Sequence, residues 1–430
     1  MIHHADVLDA LRAMPDNSFH GCLTDPPYGL SFMGHQWDHG VPSAEVWREV
    51  LRVLRPGAAL LAFGGTRTFH RLTCAIEDAG FEVRDCLMWL YGSGFPKSHD
   101  VSKAIDREAG AVREVVGQKW AERYPNGPGG NTFSVAEESD GSRTAERTTI
   151  TAPATEAARQ WEGHGTALKP AWEPIILARK PLEGTVAANV QRWGCGALAI
   201  DASRVEGEIA SGWSRSGSKA SPNLAMSGAN YDRDPRPDNT LGRWPARAIL
   251  DEEAGAALDA QSGNRPSTLT GRADPAKAHA HPADPAKRRG SMFGNESAQA
   301  SVYADSGGAS RFFYCAKASR KERDAGLEGF AVVTRAEQTR RKEGSAGSKS
   351  PAARSGSTEG GRNIHPTVKP IALTTYLARL ILPPVEGSRL LVPFCGSGSE
   401  MLGGTRAGWS HVEGIDSWDV AVKIARERTA

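Results

Sequence analysis

Gly21-Cys22-Leu23-Thr24-Asp25-Pro26-Pro27-Tyr28 is the stretch that decides the fold. Its first four residues form a short apolar run that predicts a strand. Two consecutive prolines cannot continue a central strand, because each lacks an N–H and has its φ fixed. The strand must therefore stop with a carboxylate, a free carbonyl and an aromatic ring clustered at its carboxyl end. In open α/β sheets that edge is where ligands bind. An acid and a carbonyl can accept the two N–H groups of an exocyclic amine, and a tyrosine ring can stack on a flat base. That is equipment for acting on a nucleobase taken out of its helix. Taken alone, the stretch also reads as a proline-rich turn with an N-capping Asp. Other segments shift the balance.

Outward from it, residues 1–110 alternate strand and helix signals. Ala5-Asp6-Val7 and residues 20–24 read as strands. An amphipathic helix is predicted over 43–54, with Val46, Trp47, Val50, Leu51 and Leu54 on one side and Arg55-Pro56-Gly57 as its stop. A strand over 58–63, a helix over 68–79 stopped by Gly80, and a strand over 82–91 complete a βαβαβ pattern, which argues for a parallel-rich sheet. Residues 120–165 are rich in Gly, Thr, Ser and charge. A strand resumes at 173–178, with the 82–91 strand as its expected partner and 95–170 inserted between them. From about 185 to 360, short strand candidates (196–200, 247–250, 311–316) alternate with polar Gly/Ser/Pro stretches. Residues 343–362 have almost no apolar side chains, a composition that favours disorder. A helix begins at Pro370, with Leu373, Leu377, Leu380 and Ile381 as its stripe. A strand at 389–392, a Gly-rich turn, a strand at 412–415 ending in Asp416 and a final helix follow.

The bulk numbers are permissive. A chain of 430 residues suffices for two or three domains, and 39% hydrophobic with 24% charged residues is globular composition. The net charge of +2 neither implies nor excludes a nucleic acid, which depends on a local basic face. Six scattered cysteines contain no C-x-x-C pair, so neither a zinc site nor a disulfide framework is expected. The first residues lack signal-peptide features, and no run approaches the ~18 apolar residues of a membrane span. A reducing cytoplasm, with no membrane and no metal, is the expectation.

Phe394-Cys395-Gly396-Ser397-Gly398-Ser399 follows the apolar strand at 389–392. Glycines at a strand-to-helix turn let a ligand approach the backbone, and the helix N-terminus favours its negative part. A carboxylate at Asp416, closing the next strand, suits the hydroxyls of a ribose. A phosphate loop is disfavoured because no Gly-Lys-Ser/Thr follows, and the third glycine of a dinucleotide fingerprint is replaced by Met401. His365-Pro366-Thr367-Val368-Lys369-Pro370 precedes the 370–381 helix.

Together these segments resemble the S-adenosylmethionine-dependent amino-methyltransferases of DNA, in the permuted (beta) order that puts the catalytic motif first and the cofactor glycines last. The family's D-P-P-Y falls on Asp25, Pro26, Pro27 and Tyr28, its F-x-G-x-G on Phe394 to Gly398, and its H-P-T-x-K-P on His365 to Pro370. Its two further acids fall on Asp416 and Asp6. The resemblance implies a Rossmann-like α/β sheet, mostly parallel with one antiparallel strand, circularly permuted and carrying a large inserted target-recognition region. It implies a catalytic half over 1–110, an insertion over 111–170, a sheet strand over 171–184, target recognition over 185–345, a flexible linker over 346–362 and a cofactor half over 363–430. One departure stands out: Val392-Pro393-Phe394 replaces the usual D-P-F, and Ser399-Glu400 stands where Thr-Thr is common.

The resemblance further implies that a flipped base lies above Asp25 to Tyr28, with Asp25 and the Pro26 carbonyl holding the amine and Tyr28 stacking. S-adenosylmethionine is the implied cofactor, expected at Asp6, His365, Thr367, Lys369, Phe394, Gly396, Ser397, Gly398 and Asp416. Double-stranded DNA is the expected partner, gripped by basic tracts at Arg335, Arg340, Arg341, Lys342, Lys349 and Arg354 and at Lys287-Arg288-Arg289. A second copy of the chain is a further candidate partner. D-P-P-Y favours adenine N6, with cytosine N4 as the first alternative. A catalytically silent DNA-binding relative is the second, supported by Val392. A nicotinamide dehydrogenase would leave both D-P-P-Y and the 365–370 motif unexplained.

Overall fold

The computed structural model describes residues 1–30, 38–92, 94, 98–120, 147–207, 242–266, 305–316, 320–333, 361–365 and 367–430. The Lys287-Arg288-Arg289 tract, the basic residues from Arg335 to Arg354, Trp37 and nearly all of 343–362 lie outside them.

The chain divides into two compact units. The first comprises 1–199, 247–254 and 315–430, and the second 200–246 and 255–314. The strands in chain order are β1 (Ile2–His4), β2 (Phe19–Thr24), β3 (Leu54–Phe63), β4 (Glu82–Leu90), β5 (Val115–Trp120), β6 (Arg147–Thr151), β7 (Trp172–Arg179), β8 (Ala248–Asp251), β9 (Arg265–Pro266), β10 (Ser306–Gly307), β11 (Tyr314–Ala316), β12 (Arg389–Pro393) and β13 (His411–Asp416). Nine form one sheet in the order β1-β13-β12-β2-β3-β7-β4-β8-β11. From β1 to β3 every pairing is parallel. β7 runs antiparallel to both of its neighbours, β3 and β4. From β1 to β8 the strands of this sheet are thus parallel except for the reversed β7. The last two strands of the chain lie between the first two.

Side-chain alternation sorts the sheet into two buried faces. On one, Cys22, Leu60, Ala62 and Ile176 pack against Val7 and Leu11, Trp47 and Val50, and Leu72 and Ile76, from the helices Val7–Arg12, Ala44–Val53 and Phe69–Asp78. On the other, Gly21 faces Trp409 and Ile381, and a Cβ there would come within 2.9 Å of the Trp409 ring. Trp47 is fully buried. Trp47→Ala should cost about 3–5 kcal/mol, read as a lower midpoint of chemical unfolding.

Most predicted elements form, and four differ. Ala5-Asp6-Val7 is not a strand: β1 ends at His4, and Asp6 caps the following helix, its Oδ1 accepting from the Leu8 N–H at 2.9 Å. Arg55-Pro56-Gly57 is not a turn after the second helix. Leu54 is already extended, and the three residues form a bulge inside β3, where Phe19 pairs with Leu54 but Gly21 with Ala59. Pro56 bars helix from Arg55, and Gly57 takes φ +81°. Residues 196–200 form no strand, since they make single contacts rather than a ladder: Ala199 N–H donates to Leu380 O, and Asn189 Nδ2 donates to Cys195 O. Within 311–316, only the end is strand (β11), after a 3-10 turn over Ala309–Phe312.

The insertion between β4 and β7 contains the helix Val101–Glu108, the antiparallel pair β5–β6 and the helix Glu156–Gln160. Buried Asp106 ties it together, accepting from Arg113 and from Ala154 and Thr155 N–H. In the second unit, Arg243 makes a two-pronged ion pair with Asp305 at 2.6 Å, and β9 pairs with β10. No helix among the described residues is long and apolar enough to cross a membrane.

Candidate active site

β2 and β12 are adjacent parallel strands, with Leu390 beside Gly21 and Leu391 beside Cys22. Their carboxyl ends are fastened where the two motifs begin, by a 2.6 Å hydrogen bond from Thr24 Oγ1 to Pro393 O. Asp25-Pro26-Pro27-Tyr28 and Phe394 to Gly398 therefore leave the sheet side by side. Residues at opposite ends of the chain open onto one sheet edge.

Asp25 is the centre of a compact polar cluster. Lys369 Nζ lies 2.7 Å from Asp25 Oδ2, 3.1 Å from the Tyr28 hydroxyl and 3.3 Å from Glu173 Oε2. The Tyr28 hydroxyl lies 2.8 Å from Asp25 Oδ1 and 3.1 Å from Glu173 Oε2, and its single proton serves one carboxylate at a time. Side-chain exposures are 7% for Lys369, 12% for Asp25 and 23% for Glu173. Burial by itself would lower the Lys369 pKa, but Asp25 and Glu173 more than reverse this and hold it above the usual lysine range. Burial, then the same two carboxylates, push the Tyr28 phenol well above its ordinary value. The cluster therefore holds a firmly protonated ammonium and a neutral phenol. Both Asp25 oxygens are oriented by donors, yet a carboxylate offers about four lone-pair sites, so acceptor capacity remains. Lys369, expected beside the cofactor, contacts Asp25.

The glycine turn is shaped by left-handed backbone. Phe394, Gly396 and Gly398 have φ of +55°, +49° and +81°. A Cβ on Gly396 would meet His365 Nε2 at 2.9 Å. Bare backbone at Gly396 is what lets the imidazole lie against it. Burial pulls the His365 pKa down, partly offset by Asp416 and Asp25. Asp416 closes the turn: its Oδ2 accepts from Gly396 N–H and its Oδ1 from Trp418 N–H, both at 2.8 Å. Ser397 is buried, and both its carbonyl and its hydroxyl accept from Arg428 Nη1. Thr367 is exposed and meets His365 Nδ1 through its carbonyl, and Asp6 is an exposed helix cap.

Three further residues were not among the site residues read from the sequence. Glu173, the second residue of β7, reaches the cluster from the reversed strand. An acid at the head of an otherwise apolar run was its only signal. Asp38 is buried and accepts from Gly29 and Leu30 N–H at 2.8 and 3.2 Å, which shapes the loop after Tyr28. Glu400, in the first turn of the helix Ser399–Ala407, is 3% exposed, and its Oε1 has no hydrogen-bond partner. Burial and Asp25 together push its pKa up to about 7. Val392 is fully buried in β12.

A family model described as DNA methylase matches residues 19–404, a span that includes both edge motifs and the strands between them. The chain belongs to this DNA methylase family. A curated relative, the type II methyltransferase M.HindIII of Haemophilus influenzae, is 23% identical over 149 residues, covering 25% of this chain and 48% of its own. The chain thus spans about half the length of that relative. Similar solved structures include the PvuII cytosine-N4-specific DNA methyltransferase (10% identical, 100% of this chain and 86% of that one, TM-score 0.39). Another is a proposed DNA modification methylase from Thermus thermophilus (12% identical, 100% and 94%, TM-score 0.35).

Proposed function

We propose that this DNA methylase family member transfers a methyl group from S-adenosylmethionine to the N6 of an adenine flipped out of double-stranded DNA. The observation that carries the reading is the Asp25–Tyr28–Glu173–Lys369 cluster at the sheet edge beside the glycine turn. The residues present fit the cofactor. The turn offers backbone at Gly396 and Gly398, Asp416 retains lone pairs for ribose hydroxyls, and Glu400 Oε1 is a buried anionic atom without a partner. When bound, the cofactor supplies an electrophilic methyl group.

The rest is chemistry of this chain. An aromatic amine is a poor nucleophile because its lone pair is delocalised into the ring. Asp25 and the Pro26 carbonyl accept its two N–H groups, draw the nitrogen toward tetrahedral geometry and localise the lone pair. Lys369 holds the Asp25 carboxylate in a fixed orientation, so little reorganisation is needed when the amine arrives. Flipping the base costs a few kcal/mol, which stacking on Tyr28, worth ~1–3 kcal/mol in single-strand binders, offsets in part. Asp25 need not be a strong base, since the methylated amine is acidic while it is cationic. Asp416 and Asp6 are the proposed ribose and adenine contacts, and Phe394 and His365 flank the cofactor's turn. Asp25, rather than a serine, as the first residue of the motif is what favours adenine N6 over cytosine N4.

Incubation of the full chain with radiolabelled S-adenosylmethionine and mixed-sequence DNA, followed by nucleoside analysis, tests this. Label in N6-methyladenosine is the expected result. Label in N4-methylcytosine alone overturns the choice of base, and no label on any DNA favours a silent DNA-binding relative.

A further inference from the structure

The least explained group at the sheet edge is Glu400. It is 3% exposed, sits in the first turn after the glycine turn, and carries a carboxylate oxygen buried without any hydrogen-bond donor. Leaving a buried carboxylate oxygen without a donor is costly, so such a group persists in a native fold when something other than folding uses it. Both nearby cations are committed elsewhere. Lys369 is held by Asp25, Tyr28 and Glu173. Arg428 is turned by its Nη1 and Nη2 to Ser397, Ser399 and the Glu322 carbonyl. No ion pair joins Glu400 to either among the described residues, although Arg428 Nε is also buried without an acceptor. At the end of the adjacent strand, Val392 places an apolar side chain, fully buried, and offers no anion.

We propose that Glu400 is the carboxylate that receives the α-ammonium group of the cofactor's amino-acid end. The inference rests on the proposed cofactor reading and deepens it. A cationic N–H donor satisfies the orphaned oxygen and supplies a directly paired positive charge, where Lys369 and Arg428 attract Glu400 without bonding to it. The sulfonium carries charge but no N–H, and the ribose can donate but carries no charge, so neither can do both. Ionisation of Glu400, resisted by burial and by Asp25 in the free protein, is then favoured by the ligand. Glu400 is thus a ligand-binding residue that destabilises the free fold.

Calorimetric titration of the full chain and of Glu400→Gln tests this with three ligands: S-adenosylmethionine, S-adenosylhomocysteine and the thioether lacking the α-amino group. Glutamine keeps the shape and removes the charge. Affinity for the first two should fall about tenfold or more in the variant, the scale of a hydrogen bond to a charged group. The desamino ligand should bind both proteins equally. The ligand-free variant should melt above the native chain at pH 8, because a buried charge has been removed. Equal affinity of both proteins for S-adenosylmethionine overturns the assignment while leaving the cofactor reading intact. A loss confined to S-adenosylmethionine would transfer the role to the sulfonium and overturn it too, as would an equal loss with the desamino ligand. No binding of any of the three by the native chain overturns the cofactor reading itself, and the Glu400 assignment with it.

Discussion

Asp25→Ala should reduce methyl transfer roughly a thousandfold, the scale on which removal of a preorganised acceptor or base acts. Under the proposed reading this side chain holds the amine. Glu173 reaches the same cluster but is tied to Tyr28 and Lys369. The expected fault is in the chemical step, so single-turnover rates should fall while the melting temperature changes by far less than for loss of a core side chain. Asp25→Asn sharpens the test. It keeps one carbonyl oxygen as acceptor but loses the negative charge that Lys369 faces at 2.7 Å. A rate near that of Asp25→Ala would assign the effect to charge, and a rate near native would refute a role for the carboxylate.

The second large effect belongs to Lys369. Replacing it with methionine keeps volume but removes the cation that contacts both Asp25 and Glu173. Breaking a buried pair strands the remaining charge and costs about 3–5 kcal/mol. Here two carboxylates lose their shared partner. Lys369→Met should therefore lower the free energy of unfolding by that amount, read from chemical unfolding, and disorient Asp25, with at least a hundredfold loss of transfer. Adding Glu173→Gln removes one of the stranded charges and should recover part of the stability, a coupling readable in a double-mutant cycle. Stability without recovery of activity would mark Lys369 as a positioning residue for Asp25. The pH dependence has a definite sign. Lys369 and Tyr28 both have folded-state pKa values above their ordinary ones. Their contribution is complete below about pH 10 and is lost as pH rises through the raised values. The native protein should lose stability on the alkaline side, and Lys369→Met should show a flatter alkaline limb.

Much of the site was visible along the chain because its signals are local. Two prolines end a strand wherever they occur, and glycines with left-handed φ mark a tight strand-to-helix turn. The helix stripe at Leu373, Leu377 and Leu380 is a matter of period, and all three are buried. Local signals also misled. Arg55-Pro56-Gly57 carries the composition of a turn, yet the neighbouring β2 and β7 absorb it as a bulge within β3. Asp6, placed by analogy at the end of a strand, is taken by the first turn of a helix, because free N–H groups two and three residues on compete for its carboxylate.

From the residues alone came the alternation of strands and helices, the ending of β2 at a carboxylate and two prolines, and the glycine turn after β12, while the pairing of that turn with the catalytic-type motif came from the family resemblance. Each depends on chemistry within a few residues, where backbone sterics and side-chain period act. Folding in three dimensions decided that Lys369 meets Asp25 across 344 residues of chain. It also decided that a reversed strand delivers Glu173 to the same place, and that one Glu400 oxygen is left without a donor. These depend on which strands become neighbours and in what register, and on how buried charges share the few donors within reach, which no short window of sequence encodes.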